Sequence, residues 1–298
     1  MNQQVNISFL NNIKLTIKRE DKLHPFISGN KFRKLKYNIL QAKSDGKACL
    51  LTFGGAYSNH IAATAAAGKE YGFKTIGVIR GDELKDKVQE NPTLNFALQC
   101  GMEFYFVSRE DYRQKTENDF ITKLKQKFGD FYLVPEGGTN NLAVKGCTEI
   151  LTAVDEKYTH IACAVGTGGT ISGIINSAKK EQKVLGFPAL KADLSDDIHK
   201  FALQDNWCLI NDYHFGGYAR VTAELISFIN DFYDKTGIPL DPVYTGKAVL
   251  GVIDLIDKGY FPQDSDILFI HTGGLQGVEG MNAKLIKKGL PAIKHKCK

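Results

Sequence analysis

The feature that most limits what this chain can fold into is a repeated alternation of two local patterns. Seven short apolar runs, ACLLTF (48–53), TIGVI (75–79), EFYFV (103–107), FYLVP (131–135), HIACAV (160–165), KVLGF (183–187) and ILFIH (267–271), are separated by longer helix-like stretches. Most of the runs lack a polar residue at every second position. Alternation would mark a strand with one wet face, so its absence predicts parallel strands covered on both faces. The intervening segments carry helix signals. In NPTLNFALQCG, Asn91 stands as a cap, Pro92 at the first helical position and Gly101 just past the end. TAELISFINDFYDKTG starts from Thr222 and stops at Gly237, with an i, i+3, i+4 apolar stripe. This order predicts a parallel α/β fold with right-handed crossovers.

At 298 residues the chain suits one large domain or two ordinary ones. No linker or repeat divides it. Four strand runs fall between residues 48 and 135 and the others follow residue 160, which fits two parallel-sheet domains with a cleft between them. Hydrophobic residues make up 43%, too many for a disordered chain. The 38 basic and 33 acidic residues leave a mild +5. The densest basic stretch, KLIKKGLPAIKHKCK, lacks the interleaved aromatics of a nucleic-acid face. Cys49, Cys100, Cys147, Cys163, Cys208 and Cys297 form no CxxC pair and mostly sit in apolar runs. They read as small reduced core residues, with neither a disulfide framework nor a metal site. No apolar run approaches the roughly 20 residues of a membrane helix, and the N-terminal stretch lacks the parts of a signal peptide. A cytoplasmic protein with no nucleic-acid or membrane partner is expected.

Four strand ends run into glycine turns: TFGGAYSNH (52–60), VPEGGTN (134–140), AVGTGGTISG (164–173) and IHTGGLQG (270–277). Ligands of open α/β sheets gather beyond such ends. In VGTGGTISG the glycines let the backbone approach an anion, and Thr167 and Thr170 add hydroxyls. A helix beginning near Thr170 aims free N–H groups at the same spot. A phosphate cradle is the prediction. No lysine follows the last glycine, so this is not a Walker A loop, and the spacing is not the GxGxxG of a dinucleotide site. Ser58 and Asn59 suit a helix N-cap. On residue chemistry alone, Lys31 is one of several basic side chains at a helix start, beside Arg33, Lys34 and Lys36.

Taken together, SGNKFRKLKY, GGAYSNHIAATAAAG, VGTGGTISG, VYTGKAVLGVID and HTGGLQG resemble the pyridoxal-phosphate enzymes of the tryptophan-synthase β-like fold. Within them the chain resembles the branch containing D-cysteine desulfhydrase and 1-aminocyclopropane-1-carboxylate (ACC) deaminase. The resemblance covers nearly the whole chain in the right order. It implies two parallel-sheet α/β domains with the cofactor, pyridoxal 5'-phosphate, in the cleft between them. Residues 1–36 and 143–298 would form the larger, discontinuous domain and residues 37–142 the smaller. It also implies a homodimer and a small amino-acid substrate. Lys31 matches the lysine that holds the cofactor as a Schiff base, Asn59 the asparagine on its phenolic oxygen, and Ser58 the serine beside the substrate. The phosphate would sit on Gly166, Thr167, Gly168, Gly169 and Thr170. Tyr244 matches a tyrosine packed near the ring and Tyr218 a second active-site tyrosine. Thr245 and Thr272 offer hydroxyls toward the pyridine nitrogen. Lys31 is expected to be buried, while Lys34 and Lys36 face water. A lysine titrating near 10.4 must be desolvated or paired to act at neutral pH.

In the deaminases a glutamate follows the ring-side tyrosine and faces the pyridine nitrogen; here that position is Thr245. A hydroxyl cannot support a protonated pyridine as a carboxylate does. The weaker electron sink suits elimination better than opening the ring of ACC, which has no Cα hydrogen. The expected activity is therefore α,β-elimination of D-cysteine, or of a related small amino acid, to pyruvate, ammonia and sulfide. ACC deamination to 2-oxobutanoate is the alternative within the branch. A non-catalytic phosphometabolite-binding module is the alternative of another class. GYARVTAEL departs from the family's usual Tyr-Gly-Leu-Pro-Asn around the second tyrosine.

Overall fold

In the computed structural model, which describes residues 1–295, all seven anticipated runs are strands. With three more they are β1 (Asn2–Gln4), β2 (Lys14–Lys18), β3 (Cys49–Gly54), β4 (Lys74–Arg80), β5 (Met102–Val107), β6 (Tyr132–Val134), β7 (His160–Val165), β8 (Lys183–Pro188), β9 (Trp207–Leu209) and β10 (Asp266–Ile270). They form two sheets. One has the order β5-β4-β3-β6 and is parallel throughout; the other runs β1-β2-β10-β7-β8-β9, with only the edge pair β1–β2 antiparallel. The fold is α/β with two parallel sheets, as expected.

Both faces of each sheet are covered, which is why the runs are apolar without alternation. In the larger sheet Leu15, Ile17, Ile267 and Phe269 pack on one side with Ile229, Val249 and Val252. Ile161, Cys163, Leu268 and Ile270 pack on the other with Ile171 and Ile174. In the smaller sheet Leu51, Phe53 and Val78 meet Phe120 and Leu124, while Val134 lies against Leu35, Ala63 and Ala67. The helix signals hold as well. Asn91 Oδ1 accepts from the N–H groups of Thr93 and Leu94, each at 3.0 Å, at the start of helix Pro92–Gln99. Thr222 caps helix Ala223–Thr236 through Leu225 N–H, and Gly237 ends it in the left-handed region.

β2 escaped the sequence reading because lysines bound it. Lys18 is nevertheless buried, its ammonium 2.6 Å from Asp155 Oδ2, a partner that no local pattern reveals. One cysteine also departs from expectation. Cys49, Cys147 and Cys163 are buried and Cys100 half-buried, but Cys208 is exposed, because β9 is a three-residue edge strand. Cys297 lies outside the described residues. Among the described residues no helix is long and apolar enough to cross a membrane. The four glycine turns follow the carboxyl ends of β3, β6, β7 and β10.

Candidate active site

The site is built around the start of helix Asn30–Ser44. Gly29, which precedes it, has φ 60° and ψ −136°, and a Cβ there would sit 2.0 Å from the Thr272 carbonyl oxygen. Only glycine permits that approach. Asn30 N–H donates to the same oxygen at 3.1 Å, and Asn30 Nδ2 donates to Thr170 Oγ1 at 2.8 Å. The helix start is thereby tied to the ends of β10 and β7 together. Lys31 is half-buried, and its Nζ donates to Asn30 Oδ1 at 3.1 Å. Burial and the neighbouring Lys34 charge push its pKa down to about 7, against the opposing pull of Cys147 and Asp241.

Lys34 corrects the sequence reading. It does not face water; it is 2% exposed, and its ammonium donates to Gly137 O (3.0 Å), Thr139 Oγ1 (2.9 Å) and Thr167 Oγ1 (3.3 Å). A Cβ on Gly169 would meet its Nζ at 3.3 Å. Lys34 is thus a buried cation at the Gly166–Thr170 turn, with only neutral acceptors bonded to it, and burial lowers its pKa to about 8. The signal was available, because positions 31 and 34 share one helix face. Lys36 does face outward, and pairs with Glu149 at 2.7 Å.

The turn itself suits an anion. Gly168, with φ 78°, precedes helix Gly169–Ser177 and supplies no capping side chain; Gly169 N–H donates to Thr167 O at 3.0 Å, and the N–H groups of Thr170 and Ile171 remain open to a ligand. Ser58 caps helix Asn59–Tyr71, its Oγ accepting from Ile61 N–H at 3.3 Å. The Asn59 carboxamide has a buried Oδ1 without a partner, and its Nδ2 lies against Gly274 beside Asp241. A buried amide end left unmet calls for a ligand group, acceptor or donor according to how the amide is turned.

His60 is buried, with Nε2 2.8 Å from Thr52 Oγ1. The Thr52 hydroxyl gives its one proton to Val134 O, so His60 must donate through Nε2. Burial, with Lys31 and Lys34 nearby, holds its pKa well below the usual value, and the ring is neutral. Hydrogen bonding orients it.

Tyr244 lies against Gly166, where a Cβ would stand 3.2 Å from its ring, and Tyr218 packs edge-on at 6.1 Å between centroids. Tyr218 is 46% exposed. Burial and the neighbouring Tyr218 raise the Tyr244 pKa well above 10, so its phenol stays protonated. The Thr245 hydroxyl is committed elsewhere than to a ring nitrogen. It donates to Asp241 Oδ2 at 2.7 Å and accepts from Asp241 N–H at 2.9 Å. Asp241 also accepts the N–H groups of Val243, Tyr244 and Thr245. The Thr272 hydroxyl, by contrast, makes no side-chain hydrogen bond among the described residues. Asp241 was missed, although an aspartate just before a helix is a familiar turn signal. No cluster of metal-ligating side chains occurs among the described residues.

An amine with a depressed pKa, a buried ammonium without an anion, a glycine turn at a helix start and an unmet amide gather around the start of helix Asn30–Ser44. They fit a phosphate-bearing aldehyde. Known proteins agree. The family described as pyridoxal-phosphate dependent enzyme matches residues 5–273. A protein of Arabidopsis thaliana named bifunctional D-cysteine desulfhydrase/1-aminocyclopropane-1-carboxylate deaminase, mitochondrial, is 31% identical over 90% of this chain and 74% of its own. A D-cysteine desulfhydrase of Serratia proteamaculans is 28% identical over 87% of this chain and 86% of its own. The crystal structure of an ACC deaminase homologue superposes with a TM-score of 0.81 at 29% identity, over 96% of this chain and 93% of that one. The chain therefore belongs to the family of pyridoxal-phosphate dependent enzymes.

Proposed function

We propose that the chain is a D-cysteine desulfhydrase-like lyase, converting D-cysteine or a related small amino acid, with water, to pyruvate, ammonia and sulfide. The observation that carries this choice is the pairing of Thr245 with Asp241. The position that would bear a carboxylate for ring opening is a threonine whose proton is already given away. Asp241 cannot substitute, since four donors occupy its two oxygens. A ring nitrogen here would meet a hydroxyl rather than a carboxylate, which favours elimination.

Lys31 would hold the cofactor covalently. The open N–H groups after Gly168, the Thr167 and Thr170 hydroxyls and the Lys34 ammonium would hold its phosphate, and Asn59 its phenolic oxygen. When bound, pyridoxal phosphate supplies an electron sink for negative charge at the substrate Cα. Lys31, released as a free amine of depressed pKa, takes the Cα proton. Ser58, whose oxygen serves the helix as acceptor, has its hydroxyl proton available for the substrate carboxylate. Tyr244 acts as a protonated phenol, a donor rather than a base, with Tyr218 packed against it. The reading extends to a larger domain of residues 1–36 and 143–298, a smaller one of 37–142, a homodimer and a cytoplasmic setting.

Purified protein offered D-cysteine, L-cysteine and ACC in parallel tests the proposal. Sulfide release from D-cysteine should be the fastest reaction. Faster ammonia release from ACC would defeat the Thr245 argument and make the chain a deaminase. A colourless protein that binds phosphate esters equally well with or without Lys31 would make it a binding module.

A further inference from the structure

Lys247, the third residue of helix Thr245–Asp257, is buried at 2% exposure and belongs to a different helix from Lys31, Lys34 and Lys36. Its ammonium donates to the carbonyl oxygens of His214 and Gly217, each at 2.9 Å, and to no carboxylate among the described residues. Keeping a cation out of water is costly, and an apolar side chain would fill the space more cheaply. What the charge gains is a grip on one loop. Burial lowers its pKa to about 8, with Asp241 as the opposing charge.

That loop needs a grip. Phe215, Gly216, Gly217 and Ala219 all have positive φ (53°, 84°, 116° and 55°), and two of these are not glycine. Such backbone persists only where its surroundings over-determine it. The loop's internal bonds are few: Gly216 N–H to His214 Nδ1, Gly217 N–H to His214 O, and Arg220 N–H to Gly217 O. Tyr218 follows directly. Its ring meets Tyr244, which immediately precedes the helix that carries Lys247. One helix start thus touches Tyr218 through a ring and holds the backbone before it through an ammonium.

We infer that Lys247 is a positioning residue, a clamp that fixes the strained 214–219 loop so that Tyr218 stays packed on Tyr244 at the mouth of the cleft. Its effect on turnover rests on the reading above, in which these tyrosines belong to the active site. Lys247→Met keeps the length and apolar bulk of the side chain and removes its donors. Arg220, exposed and two residues past Tyr218, is a built-in tryptic site. In the holoenzyme, cleavage after Arg220 should be about tenfold faster in K247M than in wild type, because proteolysis follows the open population. Lys247→Arg, which still offers two donors, should recover part of the protection. For D-cysteine, kcat should fall roughly 10- to 100-fold in K247M while the cofactor's visible band is unchanged. Unchanged cleavage in K247M overturns the clamp. If K247M does not fold, hydrogen exchange on the wild-type holoenzyme decides: the hydrogen-bonded amides of Gly217 and Arg220 exchanging as fast as an unstructured loop overturn it. A wild type with no visible band and no turnover defeats the proposed function instead, and the cleavage comparison still judges the clamp.

Discussion

Replacing Lys34 with methionine probes how the Gly166–Thr170 turn is charged. In the protein alone its ammonium has only Gly137 O, Thr139 Oγ1 and Thr167 Oγ1 as partners. Its pKa falls from 10.5 to about 8 through burial. At 1.36 kcal/mol per pH unit, burial disfavours the charged form by about 3 kcal/mol. The folded value lies below the unfolded one, so between about pH 8 and 10.5 the unfolded chain binds more protons. Apoprotein stability attributable to Lys34 therefore rises with pH through that window, and the penalty is full below it. Methionine removes the penalty and leaves two acceptors short of a donor, since the Thr139 and Thr167 hydroxyls bond each other at 2.6 Å, at about 1 kcal/mol each. The two effects nearly cancel, and K34M apoprotein should match wild type within about 1 kcal/mol at pH 7. A bound phosphate changes the balance, because a charge-assisted hydrogen bond contributes about 1.5–3 kcal/mol. The variant should hold pyridoxal phosphate roughly 10- to 150-fold more weakly. Urea unfolding of both apoproteins at pH 7 and pH 10, with cofactor titration followed by absorbance, reads out every part. Equal cofactor affinity in K34M, or a wild-type apoprotein that loses stability relative to K34M on going to pH 10, would refute the reasoning.

Two further outcomes follow from the same helix start. The Lys31 amine must be neutral to attack an aldehyde, so the rate of cofactor uptake by apoprotein should climb with pH and level off just above 7, where this lysine titrates; a rate still climbing at pH 9 would mean the amine is not desolvated. Gly29→Ala places a Cβ 2.0 Å from Thr272 O in a backbone region that L-residues rarely adopt, and should cost about 3 kcal/mol or more in urea unfolding; a loss below about 1 kcal/mol would show that this contact yields easily.

The strands and the glycine turns were legible because both depend on residues close in sequence. An apolar run without alternation means two covered faces, and glycine after such a run means a tight turn, whatever the rest of the chain does. The charges were harder to place. Lys34 and Lys247 look like ordinary surface lysines, and their burial depends on carbonyls and hydroxyls far along the chain. Lys18 hid β2 in the same way, through Asp155. Thr245 could be aligned with a family position, but the fate of its proton depends on Asp241, which only the folded turn brings round. What stays hidden in a sequence of this kind is the partner of each buried polar group.

The pairing of β2 with β10 has a consequence for the order of assembly. Strands β3 to β6 lie within one continuous stretch of chain, so the smaller sheet can form while the rest is still being made. The larger sheet cannot close in that way, since β2 must wait for β10 before it has a neighbour on its inner side, and loop-closure entropy opposes so distant a pairing. Gly29 and Asn30 wait with it, because their contact is the carbonyl of Thr272. A ribosome will therefore have passed residue 272 before Lys31 is held in place. On this topology a cofactor held by Lys31 would join a chain already made past Thr272 and act as a late lock on the fold, not as a seed for it.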